Sequence, residues 1–203
     1  MRQCLLEPTK KHAEAAGLLA SAADALLSGD QSSAAQLLVL ADFPSVNQHV
    51  LRLVSKLTPE VHRSTKRPVP IRKDERDPTR MPPLSVEWQI YERDGWRCRF
   101  CGMKVISRKA RGVFVSLFPK ETRWEAPEFE RHFALYALAS SLDHVVPHSR
   151  GGVNWEDNFV TACYGCQFGR GEWTLDEVEI EDPRLRPPIV DGWDGLIRIE
   201  NYL

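Results

Sequence analysis

The sequence of 203 residues lacks features that would identify several classes of protein. Its net charge at pH 7 is only −1, so any electrostatic sign of a charged partner must be local. Its longest apolar run, residues 13–27, contains Asp24 and is too short to cross a bilayer. The N-terminus has no charged start, apolar centre and small-residue cleavage site in succession. We therefore expect a cytoplasmic protein with no membrane partner.

Cysteine is also scarce, with five residues that are too clustered for a disulfide framework. In a reducing compartment, paired CxxC spacings indicate a metal site or catalysis. The composition, 42% apolar and 27% charged, is typical of a soluble globular protein. The length suits one domain of ordinary size and a smaller unit.

Apolar residues recur at helical spacing near the N-terminus, which predicts a small helical module at residues 1–57. Two helices should flank a turn in which Gly29 ends the first helix and Asp30 caps the second. A third helix is expected from Ser45 to Lys56. Because no chemical motif lies in this module, we expect it to bind a protein partner or to self-associate.

Six prolines and many basic residues interrupt this pattern over residues 58–83. Such a density of proline excludes a helix interior or a central strand, so we expect a semi-rigid basic linker. The linker either maintains solubility or contacts phosphate. Residues 84–203 should form a second domain with an irregular tail. It begins with a helix over Leu84–Arg93, and its middle contains a predicted strand, Val113 to Phe118, and a predicted helix, Pro127 to Ser140.

Two CxxC pairs carry the strongest chemical signal: Cys98 with Cys101, and Cys163 with Cys166. Each pair places two thiolates on one tight turn, and two such pairs complete a tetrahedral zinc site. The interval between them is long, but the entropy of loop closure grows only logarithmically. Four reduced, buried cysteines or one redox pair are the alternatives. We predict a structural zinc, because a closed four-thiolate site leaves no position for catalysis. Cys4 stands apart and should be an ordinary apolar residue.

An acid–histidine pair, Asp143 and His144, lies between the two cysteine pairs on a predicted short strand, Leu142 to Val146. Hydrolysis of a phosphodiester requires a base for water and positive charge at the phosphate. A neutral imidazole can take the proton, and a divalent cation with oxygen ligands can stabilise the phosphate. The pair therefore suits metal-assisted hydrolysis.

The sequence from Arg93 to Trp173 resembles an HNH endonuclease of the ββα-metal fold with a four-cysteine zinc site. The resemblance lies in GWRCRFCG at residues 95–102, LDHVVPHSRGG at 142–152, NWEDNFVTAC at 154–163, and the final cysteine pair with Gln167. It covers a little under half of the chain. It implies an α+β fold: a small helical module, then a zinc-stabilised ββα-metal domain with an inserted strand and helix. The activity implied is metal-dependent cleavage of DNA.

By position, the resemblance implies that His144 is the general base and that Asp143 ligates Mg²⁺ or Mn²⁺. Asn158 would brace the loop and hold the orientation of the histidine. Gln167 stands where the family usually has His or Asn as the second metal ligand. This departure retains a hard oxygen donor but adds a methylene, so it implies altered metal placement or impaired catalysis. Taken singly, an Asp–His pair is usually a surface ion pair and Asn158 a turn cap, so the prediction depends on the combination.

Basic residues also cluster between residues 97 and 123, where Glu121 is the one acidic residue. This cluster predicts contact with a nucleic-acid backbone, and a solvated charged face is the alternative. We expect duplex DNA as the partner. The predicted contacts are Lys104, Arg108, Lys109, Arg111, Arg150 and Arg170, the last at a position where the family often has Lys or Arg. The rival interpretation is a zinc-stabilised DNA-binding or adaptor protein whose HNH core has lost catalysis through Gln167.

Overall fold

The computed structural model describes residues 1–55, 64, 66 and 68–202. Within these residues the chain forms eight α-helices and one two-stranded antiparallel sheet. The predicted α+β class is therefore confirmed at that level. Among the same residues, no helix combines the length and the apolar character that crossing a bilayer requires.

Three helices form the N-terminal part: α1 (Lys10–Leu27), α2 (Gln31–Ala41) and α3 (Pro44–Val54). Gly29 adopts the left-handed backbone that ends α1, with a φ of 83°. The carboxylate of Asp30 caps α2 by accepting a hydrogen bond from the backbone N–H of Ser33 at 2.9 Å. The first two helices and their turn agree with the prediction. The end predicted for α3, at Lys56, lies outside the described residues.

The predicted linker is described only at residues 64, 66 and 68–83. This part lies against the rest of the chain, since the backbone N–H of Ile71 donates to the carbonyl of Ser149 at 2.9 Å. It contains a 3₁₀ turn, Lys73–Glu75, and no strand or α-helix among these residues. Residues 58–63, where the linker was predicted to begin, are outside the described part.

Helix α4 (Leu84–Arg93) has the bounds predicted for it, and three further helices follow: α5 (Arg108–Leu117), α6 (Pro119–Thr122) and α7 (Phe133–Ala137). The predicted strand Val113–Phe118 is wrong, because these residues belong mainly to α5. The hydroxyl of Ser107 caps α5 by accepting from the backbone N–H of Ala110 at 2.9 Å. Ala110, Val113 and Phe114 are buried at the i, i+3, i+4 spacing of a helix.

The predicted helix Pro127–Ser140 is also shorter than expected. A 3₁₀ turn, Glu128–Glu130, precedes α7, and Ser140 already belongs to the first strand. The inserted segment of the second domain is therefore helical among the described residues, and the expected strand is absent there.

Two strands and a helix complete the architecture: β1 (Ser140–His144), β2 (Phe159–Cys163) and α8 (Tyr164–Arg170). The strands pair antiparallel, with Asp143 opposite Val160 and His144 opposite Phe159. The observed β1 begins two residues before the strand predicted at Leu142–Val146. This ββα succession is the local frame on which the predicted site residues lie.

Helix α3 packs directly on α8, so the N-terminal helices share one apolar core with the rest of the described chain. Two glycines of α8 permit this approach. A Cβ at Gly165 would lie 2.6 Å from Cδ1 of Leu53, and one at Gly169 would lie 2.9 Å from the Leu53 carbonyl oxygen. The two glycines, which are unfavourable inside a helix, are thus explained by close helix packing.

Candidate metal centre and catalytic site

The four cysteines of the two CxxC pairs meet at one point, with all four sulfur atoms within 4.8 Å of one another. The first pair lies on a turn closed by the N–H of Gly102, which donates to the carbonyl of Cys98 at 2.8 Å. Cys163 ends β2 and Cys166 lies in the first turn of α8. The predicted grouping is confirmed. Four sulfur donors converging in this way fit a tetrahedral metal such as zinc.

Hydrogen bonds within the cluster change the acidity of its thiols. Burial raises the pKa of Cys98, but hydrogen bonds from Cys101, Cys163 and Cys166 outweigh this effect and bring the pKa well below its ordinary value. Hydrogen bonds from Cys163 and Cys101 raise the pKa of Cys101 and Cys166 respectively, so the thiolate is favoured at Cys98 and the thiol at those two residues. The thiolate is the form that binds a metal, so binding of an ion would release their protons. Among the described residues, no other set of three or more His, Cys, Asp or Glu side chains lies close enough together to share an ion.

Cys4, the fifth cysteine, is buried. Burial, then the neighbouring Glu7, and then Cys98 and Cys163 raise the pKa of its thiol. Its burial agrees with the prediction of an ordinary small apolar residue.

His144 lies at the end of β1, where its ring packs against that of Phe159 at a centroid distance of 4.4 Å. Its Nε2 lies 3.0 Å from Oδ1 of Asn154. An amide oxygen only accepts hydrogen bonds, so this placement of the Asn154 amide suits the tautomer with the proton on Nε2 and the lone pair on Nδ1. Burial lowers the pKa of His144, and the nearby His148 and Arg80 also lower it, although the hydrogen bond to Asn154 opposes the shift. The imidazole is therefore neutral at pH 7, as a general base must be.

Asn158 holds the loop that connects the two strands. Its Oδ1 accepts from the backbone N–H of Val146 at 2.8 Å, and its Nδ2 donates to the carbonyls of Val146 and Val153 at 3.1 and 2.9 Å. Gly152 permits the close passage of the chain, because a Cβ there would lie 1.8 Å from the carbonyl oxygen of Val146. These are the bonds expected of a residue that braces the loop. The side-chain bonds described for Asn158 do not include the ring of His144, which contacts Asn154 instead, and a catalytic role of Asn158 stays a prediction.

The sequence patterns did not indicate two polar residues near His144: Asn154 and Asp77. The carboxylate of Asp77 accepts from the backbone N–H of Asn154 at 3.2 Å, and its carbonyl oxygen lies 2.8 Å from Nε2 of His148. Asn154 begins a motif segment, which could have drawn attention to it. No local signal indicates Asp77, because it reaches the loop from a distant part of the chain.

Asp143 has an arginine as its partner. Its Oδ2 accepts from Nη2 and Nε of Arg170 at 2.7 and 3.1 Å, and the two residues are only 8% and 2% exposed. Arg170 also donates to the carbonyls of His144, Val145 and Trp173. Burial raises the pKa of Asp143 although the arginine opposes the shift. The cationic position beside this carboxylate is therefore taken by a guanidinium.

Gln167 has a different set of partners. Its Nε2 donates to the carbonyl of Leu142 at 2.9 Å, and its side chain lines a cavity together with Ser141. Asp143, His144 and Gln167 are thus each held by separate groups. The oxygen ligands predicted for Mg²⁺ or Mn²⁺ do not fit such an ion as they are placed, since Asp143 is already paired with a cation.

The six predicted DNA contacts lie in different environments. Arg108 and Lys109 are exposed on α5. Lys104 lies over the ring of Trp193 at 4.5 Å, and Arg111 over that of Trp124 at 5.0 Å. Arg150 forms a two-pronged ion pair with Glu177 at 3.0 and 3.1 Å. Arg150 is therefore already paired, and the burial of Arg170 leaves no side-chain surface for a phosphate. Four basic residues of this set therefore remain available near α5: Lys104, Arg108, Lys109 and Arg111.

Comparisons of the chain with models of protein families, with curated protein sequences and with solved structures found no match.

Proposed function

We propose that the protein is an HNH-type endonuclease that hydrolyses phosphodiester bonds in DNA, with His144 as the general base. The observation that carries this proposal is the contact between Nε2 of His144 and Oδ1 of Asn154, which suits the tautomer that has its lone pair on Nδ1. The neutral imidazole, the ββα frame and the four-cysteine cluster support it. Zinc at that cluster would have a structural role, because all four of its positions would be filled by thiolates.

In the proposed mechanism, Nδ1 of His144 takes a proton from a water molecule. The water oxygen forms a bond to phosphorus, the bond from phosphorus to the leaving oxygen breaks, and the leaving oxygen takes a proton from solvent water. Asn154 stabilises the resulting imidazolium, because its amide oxygen accepts a stronger hydrogen bond from the charged Nε2–H group. Arg80 is exposed and close enough to His144 to lower its pKa, so its charge can attract the phosphate. We assign no step to a divalent ion, because Asp143 is paired with Arg170.

Conversion of supercoiled plasmid tests this proposal, with Mg²⁺, Mn²⁺ or a chelator present. The wild type and the control Trp155→Ala, whose side chain is 75% exposed, should nick the plasmid at similar rates. His144→Ala should be slower by about 10²–10⁴-fold, the usual contribution of a general base. Equal conversion by the wild type and His144→Ala, or no conversion under any condition, would contradict the proposal.

The second candidate is a DNA-binding or adaptor protein that has lost catalysis. The Asp143–Arg170 ion pair favours it, because the ion pair occupies the predicted metal ligand, and the bond from Gln167 to Leu142 adds to this. This candidate predicts DNA binding without cleavage. The variant Gln167→Asn provides a further test: cutting that is restored or increased would identify the glutamine as the cause of weak activity.

Recruitment of a protein partner, or self-association, through the N-terminal helices stays a prediction. Val39 and Leu40 on α2 are each 59% exposed, which is unusual for two adjacent apolar residues. Sedimentation equilibrium of the wild type and of Val39→Lys would test it, and a monomer at all concentrations would contradict self-association.

A further inference from the structure

A cavity of about 290 Å³ lies beside the candidate site, between α5, α7, α8 and the start of β1. This volume is at the lower end of that of small-molecule sites, which is roughly 300–1,000 Å³, and is too small for a nucleic-acid duplex. Gln167 forms part of its wall together with aromatic and basic side chains. The cavity is separate from the environment of His144.

Aromatic rings form one side of this cavity. Tyr164 packs against Tyr136 at a centroid distance of 4.1 Å and against Phe168 at 4.3 Å. Phe168 is 57% exposed, so much of its surface remains in contact with solvent. An exposed ring of this kind is a surface on which a planar base can stack.

Two arginines form another side. Arg111 and Arg131 both lie over the ring of Trp124, at 5.0 and 5.1 Å. Among the residues that the structure describes, Arg111 is partly buried and has no carboxylate partner. Burial, and then the nearby Arg108 and Arg131, lower the pKa of Arg111. A bound anion would remove the cost of holding these like charges together.

Polar groups complete the lining. Tyr136 is only 4% exposed, and burial, then its neighbours Tyr164 and Glu128, raise the pKa of its hydroxyl. Ser140 lies on the same wall, and Glu128 accepts a hydrogen bond from the hydroxyl of Tyr164 at 2.8 Å. These hydroxyl and carboxylate groups offer both donors and acceptors to a ligand. The edge of a nucleobase carries both kinds of atom.

We propose that this cavity binds one unpaired nucleotide, with its base stacked on Phe168 and its phosphate at Arg111 and Arg131. The inference depends on the proposed function only in taking nucleic acid as the partner. A single nucleotide is the favoured occupant because the cavity combines an aromatic surface, unpaired positive charge and a small volume. It would let the protein hold a strand that is single, frayed or locally unpaired.

Fluorescence anisotropy of a dye-labelled single-stranded oligonucleotide, and of the same sequence as a duplex, tests the proposal with the full chain. The variants are Phe168→Ala and Arg111→Gln. Lys109→Gln is the matched control, because it removes an exposed charge from the same helix. We expect the first two variants to weaken single-strand binding by roughly 5- to 100-fold, the effect of losing one base stack. We expect Lys109→Gln to weaken single-strand and duplex binding equally, by a small factor that disappears in high salt.

Circular dichroism would verify that each variant is folded, and the exposed position of Phe168 makes unfolding of Phe168→Ala an unexpected result. Wild-type affinity for single strands in Phe168→Ala would overturn the proposal, as would an equal loss of duplex binding in both cavity variants. The plasmid assay separates this result from the proposed function. If His144→Ala loses cutting while the cavity variants bind single strands normally, only the cavity inference fails. If the cavity variants lose binding while the wild type cuts nothing, only the nuclease proposal fails.

Discussion

The buried pair of Asp143 and Arg170 provides the most quantitative prediction. Arg170→Met keeps an unbranched side chain of similar length but removes the guanidinium. The Asp143 carboxylate would then lie buried without a counter-charge, and three backbone carbonyls would lose a donor. Removing one partner of a buried ion pair typically costs about 3–5 kcal/mol. The lost carbonyl bonds overlap with this cost, so we expect the variant to be about 4 kcal/mol less stable.

Urea denaturation followed by tryptophan fluorescence measures this loss. For a chain of 203 residues, each kcal/mol lowers Tm by about 2–4 °C, so Tm should fall by roughly 8–16 °C. The double variant Asp143→Leu with Arg170→Met removes both charges and should recover more than half of the lost free energy. A loss below about 1 kcal/mol in Arg170→Met would refute the reasoning, since that is the cost of an exposed ion pair.

Three further predictions follow from the described contacts. Purified protein should contain one zinc per chain by mass spectrometry, whereas Cys98→Ser should contain less and melt at a lower temperature; equal zinc in both would contradict the four-thiolate site. Gly152→Ala should destabilise the fold by roughly 2–4 kcal/mol in urea and abolish nicking, because its Cβ would lie 1.8 Å from the Val146 carbonyl oxygen. Burial, and then the neighbouring His12 and Arg52, lower the pKa of His49 to about 4, so stability should fall as pH falls from 6.5 towards 4. As pH falls, the imidazole of His49 is protonated in the unfolded chain before it is protonated in the folded chain. The free energy of unfolding should therefore fall by roughly 3 kcal/mol in urea titrations, and by less in His49→Phe.

The helical parts of the fold were predictable where periodicity and capping residues agreed. Gly29 and Asp30 marked the turn between the first two helices, and the bounds of Leu84–Arg93 were correct. The error at residues 113–118 had a local cause, since Val113, Phe114 and Val115 favour strands by composition. The cap at Ser107 and the burial of Ala110, Val113 and Phe114 on one face outweigh this local preference and produce a helix.

The site was predictable in its residue types but not in its partnerships. The cysteine quartet could be found because a metal requires a recognisable spacing. The pairing of Asp143 with Arg170 depends on which face of β1 packs on α8, and sequence spacing does not give that orientation. The contact between Asn154 and Asp77 was also missed, because it forms only when the linker folds onto the loop. The cavity is lined by residues from four separate segments, so no local sequence pattern predicts it.

Chemical rescue of His144→Ala tests the central claim most directly. The rate of plasmid nicking is measured for the wild type and the variant, each with and without added imidazole. If His144 removes the proton from water, the variant should be nearly inactive, and imidazole should restore part of its rate in proportion to the fraction of neutral imidazole. A variant that nicks as fast as the wild type without imidazole would contradict the account.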